Sequence, residues 1–195
     1  METWIVIGVL LVIVIYAISI YNRLVSLRNA VRNAFAQIDV QLTRRYDLIP
    51  NLVEAVKGYM KHERETLEAV VQARNQAVAG LKSVEADPAN ASAMRDLVGA
   101  EAALGGALGR LFALVEAYPD LKASQNMQSL QEELATTENR VAFSRQGFND
   151  SVMRYNIATQ QFPSNLVANT FGFSEAAFLE IEAPEKREVP KVSFT

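Results

Sequence analysis

The chain has 195 residues, half of them hydrophobic and 21% charged, with a formal net charge of -3; this bounds it to one globular domain with at most a short appendage. So small a net charge excludes bulk attraction to polyanions, and no nucleic-acid partner is expected. With no cysteine in the chain, disulfide frameworks, thiolate metal sites and cysteine nucleophiles are excluded, while the redox compartment stays open.

Residues Ile5 to Ile20 carry no charge and are flanked by Trp4 and Tyr21, aromatic rings that favour the headgroup depth of a bilayer. A cleavable leader needs a basic start and a small-residue cleavage site; this segment opens Met1-Glu2-Thr3 and closes Ile20-Tyr21-Asn22. Residues 1–22 therefore read as a retained transmembrane anchor bounded by Trp4, Ile5, Ile20 and Tyr21. Only Glu2 precedes the span, whereas Arg23, Arg28 and Arg32 follow it closely, and positive charge resists translocation. The N-terminus is expected outside and the rest of the chain in the cytoplasm. Gly8 is followed four residues on by Val12, so no GxxxG dimerisation motif is written into the span.

Residues 23–163 predict an all-α bundle of about four long antiparallel helices. Leu24, Leu27, Val31, Phe35, Ile38 and Leu42 recur at helical spacing, so the anchor runs into the first helix. Asp47-Leu48-Ile49-Pro50 then punctuates the pattern: Asp47 caps a second helix with Pro50 in its first turn, or one helix continues with a kink. The stripe Leu52, Val53, Val56, Tyr59, Met60, Leu67, Val70 and Val71 belongs to that second segment, which ends near Gly80 before a loop containing Asp87-Pro88. A third helix spans about Ala91 to Tyr118. A fourth, with near-heptad Met127, Leu130, Leu134, Val141, Phe148, Val152 and Tyr155, runs to Phe162-Pro163. Residues 164–195 read as an irregular or extended strap holding one helical turn near Asn165, with Pro184, Pro190, Val192 and Phe194 toward its end.

Few residues invite a chemical role. His62-Glu63 lacks the second histidine of a zinc protease motif, since Thr66 stands there, and this is the chain's one histidine. Neither a usual zinc site nor a serine triad is expected, and no cofactor. Arg44-Arg45 suits phosphate binding, but reads better as a solvated turn or an ion pair with Asp47. Gly99, Gly105, Gly106 and Gly109 lie inside the third helix, where each glycine costs up to about 1 kcal/mol relative to alanine. They are candidate helix-packing or oligomer contacts, together with Phe171 and Phe173. Asn149, Asn156 and their neighbours either fix register in buried networks or form a partner-binding face.

The residues also carry a resemblance. Tyr21-Asn22-Arg23-Leu24-Val25, the run Gln37-Ile38-Asp39-Val40-Gln41-Leu42, Arg44-Arg45, Asp47-Leu48-Ile49-Pro50-Asn51-Leu52-Val53 and His62-Glu63 resemble the LemA family in order. Tyr118-Pro119, Glu138-Asn139-Arg140, Asn149-Asp150, Tyr155-Asn156 and Phe162-Pro163-Ser164-Asn165 continue the likeness over nearly the whole chain. The resemblance implies an anchored helical bundle on a bacterial inner membrane and supplies no activity. It associates relatives with magnetosome formation and, by gene neighbourhood, with membrane proteases. Glu2 stands where some members carry lysine, which keeps a periplasmic bundle as the alternative topology. The expectation is a non-enzymatic membrane scaffold forming a homo-oligomer, with a regulatory adaptor of a membrane protease or other envelope protein as the alternative. An enzyme acting through His62 and carboxylates is the remaining reading.

Overall fold

The computed structural model describes residues 1–60 and 62–180, and these residues form helices without strands. Six helices follow one another: α1 (Glu2–Lys57), α2 (Arg64–Ala86), α3 (Ala91–Val115), α4 (Pro119–Ala123), α5 (Gln125–Gln160) and α6 (Ser164–Phe171). The four long ones make the bundle: α1 lies along α5 and α2, and α2 lies along α3. The final strap residues proposed from Pro184, Pro190, Val192 and Phe194 fall outside the described part.

The start of α1, residues 2–19, stands clear of the bundle apart from a half-buried Ala17. Its large apolar side chains from Ile5 to Ile18 are 49–65% exposed with no protected face, the pattern of a helix whose solvent is not water. Burial against the bundle begins at Ile20 and continues through Leu24, Val31, Phe35, Ile38 and Leu42. α3 is also long and apolar enough to cross a bilayer, but Met94, Leu97, Leu104, Leu111 and Val115 are fully buried in the common core, so it is a core helix.

One expected boundary is corrected. α1 does not end before Asp47; it passes through Pro50 and stops at Lys57, and α2 begins at Arg64. Proline cannot donate to the carbonyl four residues back, which normally breaks a helix. Here that carbonyl belongs to Tyr46, and it accepts a hydrogen bond from Arg74 Nε of α2 at 3.2 Å. The orphaned acceptor is thus satisfied from a neighbouring helix, while Leu48, Ile49, Leu52 and Val56 continue the buried stripe.

The other boundaries have local causes. Asn90 caps α3 by accepting from the backbone N–H groups of Ser92 (3.0 Å) and Ala93 (3.1 Å). α6 terminates at Gly172, whose positive φ of 71° suits a residue without Cβ. An extended stretch, 173–180, then lies back along α5. Two asparagines seven residues apart hold it by paired bonds: Asn156 donates to Ala176 O and accepts from Ala176 N, both 2.9 Å, and Asn149 does the same with Leu179. The register role expected for these asparagines is therefore the observed one; Asn126 and Asn139 are exposed.

If Arg74 rescues the acceptor freed by Pro50, the two positions are coupled. Arg74→Leu should lower the stability of the full chain in detergent by about 1 kcal/mol, and by clearly less when combined with Pro50→Ala. Chemical denaturation of the two single variants and the double variant measures the difference; additive effects would separate the two residues.

Candidate functional site

The largest concentration of polar chemistry in the described bundle surrounds Arg45. This residue sits in phase with Leu42 and Ile49 on the buried stripe of α1 and is only 4% exposed. Its guanidinium pairs with Glu101 of α3, itself 3% exposed, and with Glu138 Oε2 of α5 at 2.5 Å. Tyr46 Oη donates to the other Glu101 oxygen. Arg44 reaches Glu133 of α5 at 2.8 Å, in an exposed pair. Three helices are thereby pinned at one level. Asp47 takes no part with Arg45; the cation near it is Arg74, at 3.9 Å, which corrects the local ion pair expected from sequence.

A buried pair of this kind is specific more than stabilising, because desolvation offsets much of the Coulomb attraction. Burial disfavours the charged form of Arg45, but the Glu101 and Glu138 carboxylates outweigh it and leave its pKa above the usual arginine value. Burial first, then the Glu101 carboxylate, pushes the Tyr46 phenol far above its ordinary range, so it stays a donor. One valence is left over: Arg45 Nε is buried and has no hydrogen-bond partner.

That guanidinium forms part of the wall of a groove between α3 and α5 of about 590 Å³. Gly105, Leu108, Gly109 and Phe112 line it from α3, and Gln131, Leu134 and Ala135 from α5. The four α3 glycines do not make close contacts inside the chain: a Cβ on Gly99, Gly105, Gly106 or Gly109 would meet nothing within 4 Å. The packing version of that expectation is therefore corrected. The close helix approach is at Gly80 of α2, where a Cβ would lie 3.2 Å from Leu97 Cα. Gly105 and Gly109 face the α3–α5 groove, whereas Gly99 borders a shallow furrow between α2 and α3.

The remaining expected residues are placed as follows. Trp4 and Ile5 are exposed on the free part of α1, Ile20 is buried and Tyr21 lies at the edge. Tyr21 meets Phe171 and Phe173 edge-on, with ring centroids 5.0 and 5.5 Å apart. Arg23 and Arg32 are exposed and Arg28 is half-buried. His62 lies exposed in the α1–α2 connection, and no group of three potential metal-ligating side chains occurs among the described residues. Glu101 and Arg45 were missed as a pair, although each interrupts an apolar stripe in phase, Glu101 between Leu97 and Leu104.

The signature of the LemA family matches residues 34–194. The chain belongs to the LemA family. Proteins of this family are membrane-associated, and the start of α1 is long and apolar enough to cross a bilayer. Among curated relatives, the chain is 26% identical over 173 residues to "Magnetosome protein MamQ" of Magnetospirillum gryphiswaldense, covering 81% of this chain and 64% of the relative. It is 26% identical over 175 residues to "Magnetosome protein MamQ 2" of Paramagnetospirillum magneticum, covering 82% and 64%. "Protein LemA" of Metamycoplasma hominis is 24% identical over 168 residues, covering 86% of this chain and 72% of its own length. The chain thus spans under two thirds of the MamQ relatives. The matched region contains Arg45, Glu101 and Glu138 of the present chain and begins after the apolar segment of residues 1–22.

Breaking the buried network should cost more than deleting it. Arg45→Met alone, which strands Glu101, should destabilise the full chain by about 3–5 kcal/mol, whereas Arg45→Met with Glu101→Leu and Glu138→Leu should recover most of that loss; denaturant melts compare them. Because the Tyr46 pKa is raised on folding, its contribution is complete below about pH 10 and is lost as pH climbs further. Tyr46→Phe should therefore lower stability at pH 7 by about 1–2 kcal/mol and show a shallower fall above about pH 10.

Proposed function

We propose that this protein is a non-enzymatic scaffold of the bacterial inner membrane that self-associates through the α3–α5 side of its bundle. The observation that carries the proposal is the groove on which Gly105 and Gly109 open without an intramolecular neighbour. Glycine in a helix interior is unfavourable by about 1 kcal/mol relative to alanine. A cost borne at Gly105 and Gly109, with no contact inside the chain to offset it, fits a surface that a second copy approaches closely. The groove is apolar and bounded by two long helices, the shape that accepts a third helix.

The anchor holds such assemblies at the bilayer, residues 1–22 spanning it and the bundle following. Arg23, Arg28 and Arg32 support a cytoplasmic bundle, with a periplasmic one as the alternative. The same groove carries the adaptor reading as the alternative, with a segment of a membrane protease or other envelope protein seated in it in place of a second copy.

Mass photometry of the full chain extracted gently from native membranes tests both. A discrete assembly of this chain alone is expected, and Gly105→Leu, which fills the groove, should reduce its mass without unfolding the monomer. A monomer unaffected by the substitution would overturn the scaffold; a complex with a second protein, lost on Gly105→Leu, would replace it with the adaptor.

A further inference from the structure

A second exposed apolar surface lies at the end of the bundle where α1 leaves it. α5 runs antiparallel to α1, as the contacts of Phe35 with Phe148 (5.9 Å between ring centroids) and of Arg45 with Glu138 fix. Following both helices from the phenylalanine pair toward the N-terminus of α1 brings the end of α5, at Gln160, level with Arg23, about 18 Å away at 1.5 Å per residue. The chain then turns at Phe162 and enters α6, which packs on both α1 and α5. The Tyr21 contacts with Phe171 and Phe173 hold α6 at the height where α1 passes from buried stripe to bare apolar helix.

At that height three large apolar side chains are left uncovered: Phe162 at 80%, Leu166 at 58% and Phe171 at 62% exposure. α6 itself, Ser-Asn-Leu-Val-Ala-Asn-Thr-Phe, carries no charge. Arg23 is exposed one turn beyond Ile20 on the side of the bundle, where lipid phosphates would meet it. The anchor leaves no choice about what lies next to this surface, since the apolar part of α1 begins there and is clothed by lipid. A short uncharged helix with aromatic and leucine side chains turned outward is suited to the boundary between headgroups and acyl chains.

We infer that Phe162, Leu166 and Phe171 form a lipid-binding platform, with α6 lying in the bilayer interface beside the anchor. The inference rests on the membrane-anchor reading and holds for either topology. Its consequence is mechanical: a single spanning helix leaves a bundle free to tilt, and a second point of contact fixes the bundle's orientation to the membrane plane.

The chain contains no cysteine, so single labels can be placed cleanly. Leu166→Cys, Val12→Cys and Gln128→Cys variants of the full chain, each carrying bimane, are reconstituted in vesicles of phosphatidylethanolamine and phosphatidylglycerol containing nitroxide lipids. The nitroxide is placed either near the headgroup or deep in the acyl chain. The Leu166 probe should be quenched severalfold more by the shallow nitroxide than the Gln128 probe at the far end of α5, and the Val12 probe by the deep one. A water-like, unquenched Leu166 probe with a quenched Val12 probe overturns the platform and leaves the anchor standing. A Leu166 probe that is blue-shifted but unquenched, and becomes water-like when the protein is diluted into excess lipid, is covered by a second copy and also overturns it. Failure of quenching at Val12 as well removes the anchor and the platform together.

Discussion

A helix satisfies its backbone hydrogen bonds internally, so it can pass from lipid into a protein core without interruption. The structure depends on the continuity of α1 near Ile20, where its uncovered apolar segment becomes a buried stripe. Upstream, the large apolar side chains from Ile5 to Ile18 are exposed; downstream, the same helix supplies a buried stripe from Leu24 to Val56. Because the two parts are one unbroken helix, the apolar segment and the bundle share an axis, and the levels of α2, α5 and α6 are set by their register on α1. The continuity persists through Pro50 because Arg74 satisfies the carbonyl that proline abandons.

Register in an apolar four-helix bundle is weakly determined by leucine and valine alone, since shifted packings bury similar area. The Arg45, Glu101, Tyr46 and Glu138 network supplies a constraint that hydrophobic packing lacks, because only one alignment of α1, α3 and α5 pairs these groups. Asn149 and Asn156 do the same for the strap by pairing both their amide atoms with its backbone. Polar groups thus specify an arrangement whose stability comes from the apolar core.

Family membership and the helical class fit this division. The candidate surfaces, the α3–α5 groove and the α6 patch, are places where the bundle leaves apolar side chains uncovered. Both are largely apolar, and Arg45 forms part of the wall of the groove.

The sequence by itself determined the helical class, the long apolar start of α1 and most of the buried face of the long helices, because these follow from local composition and a period of 3.6 residues; Tyr59 and Val71, expected on the inward stripe, are exposed. It also contained the signal for the buried pair, as Arg45 and Glu101 each occupy an inward phase, but which charge meets which depends on helices that are far apart in the chain. Tertiary structure alone decided that Pro50 leaves α1 intact, since the compensating donor comes from α2. It likewise decided that four glycines face open space while Gly80 meets Leu97, because periodicity tells which side of a helix is apolar and not how closely its neighbour lies. The placement of Phe171 beside Tyr21 has the same origin: the contact exists only once α5 has carried the chain back to where α1 leaves the bundle.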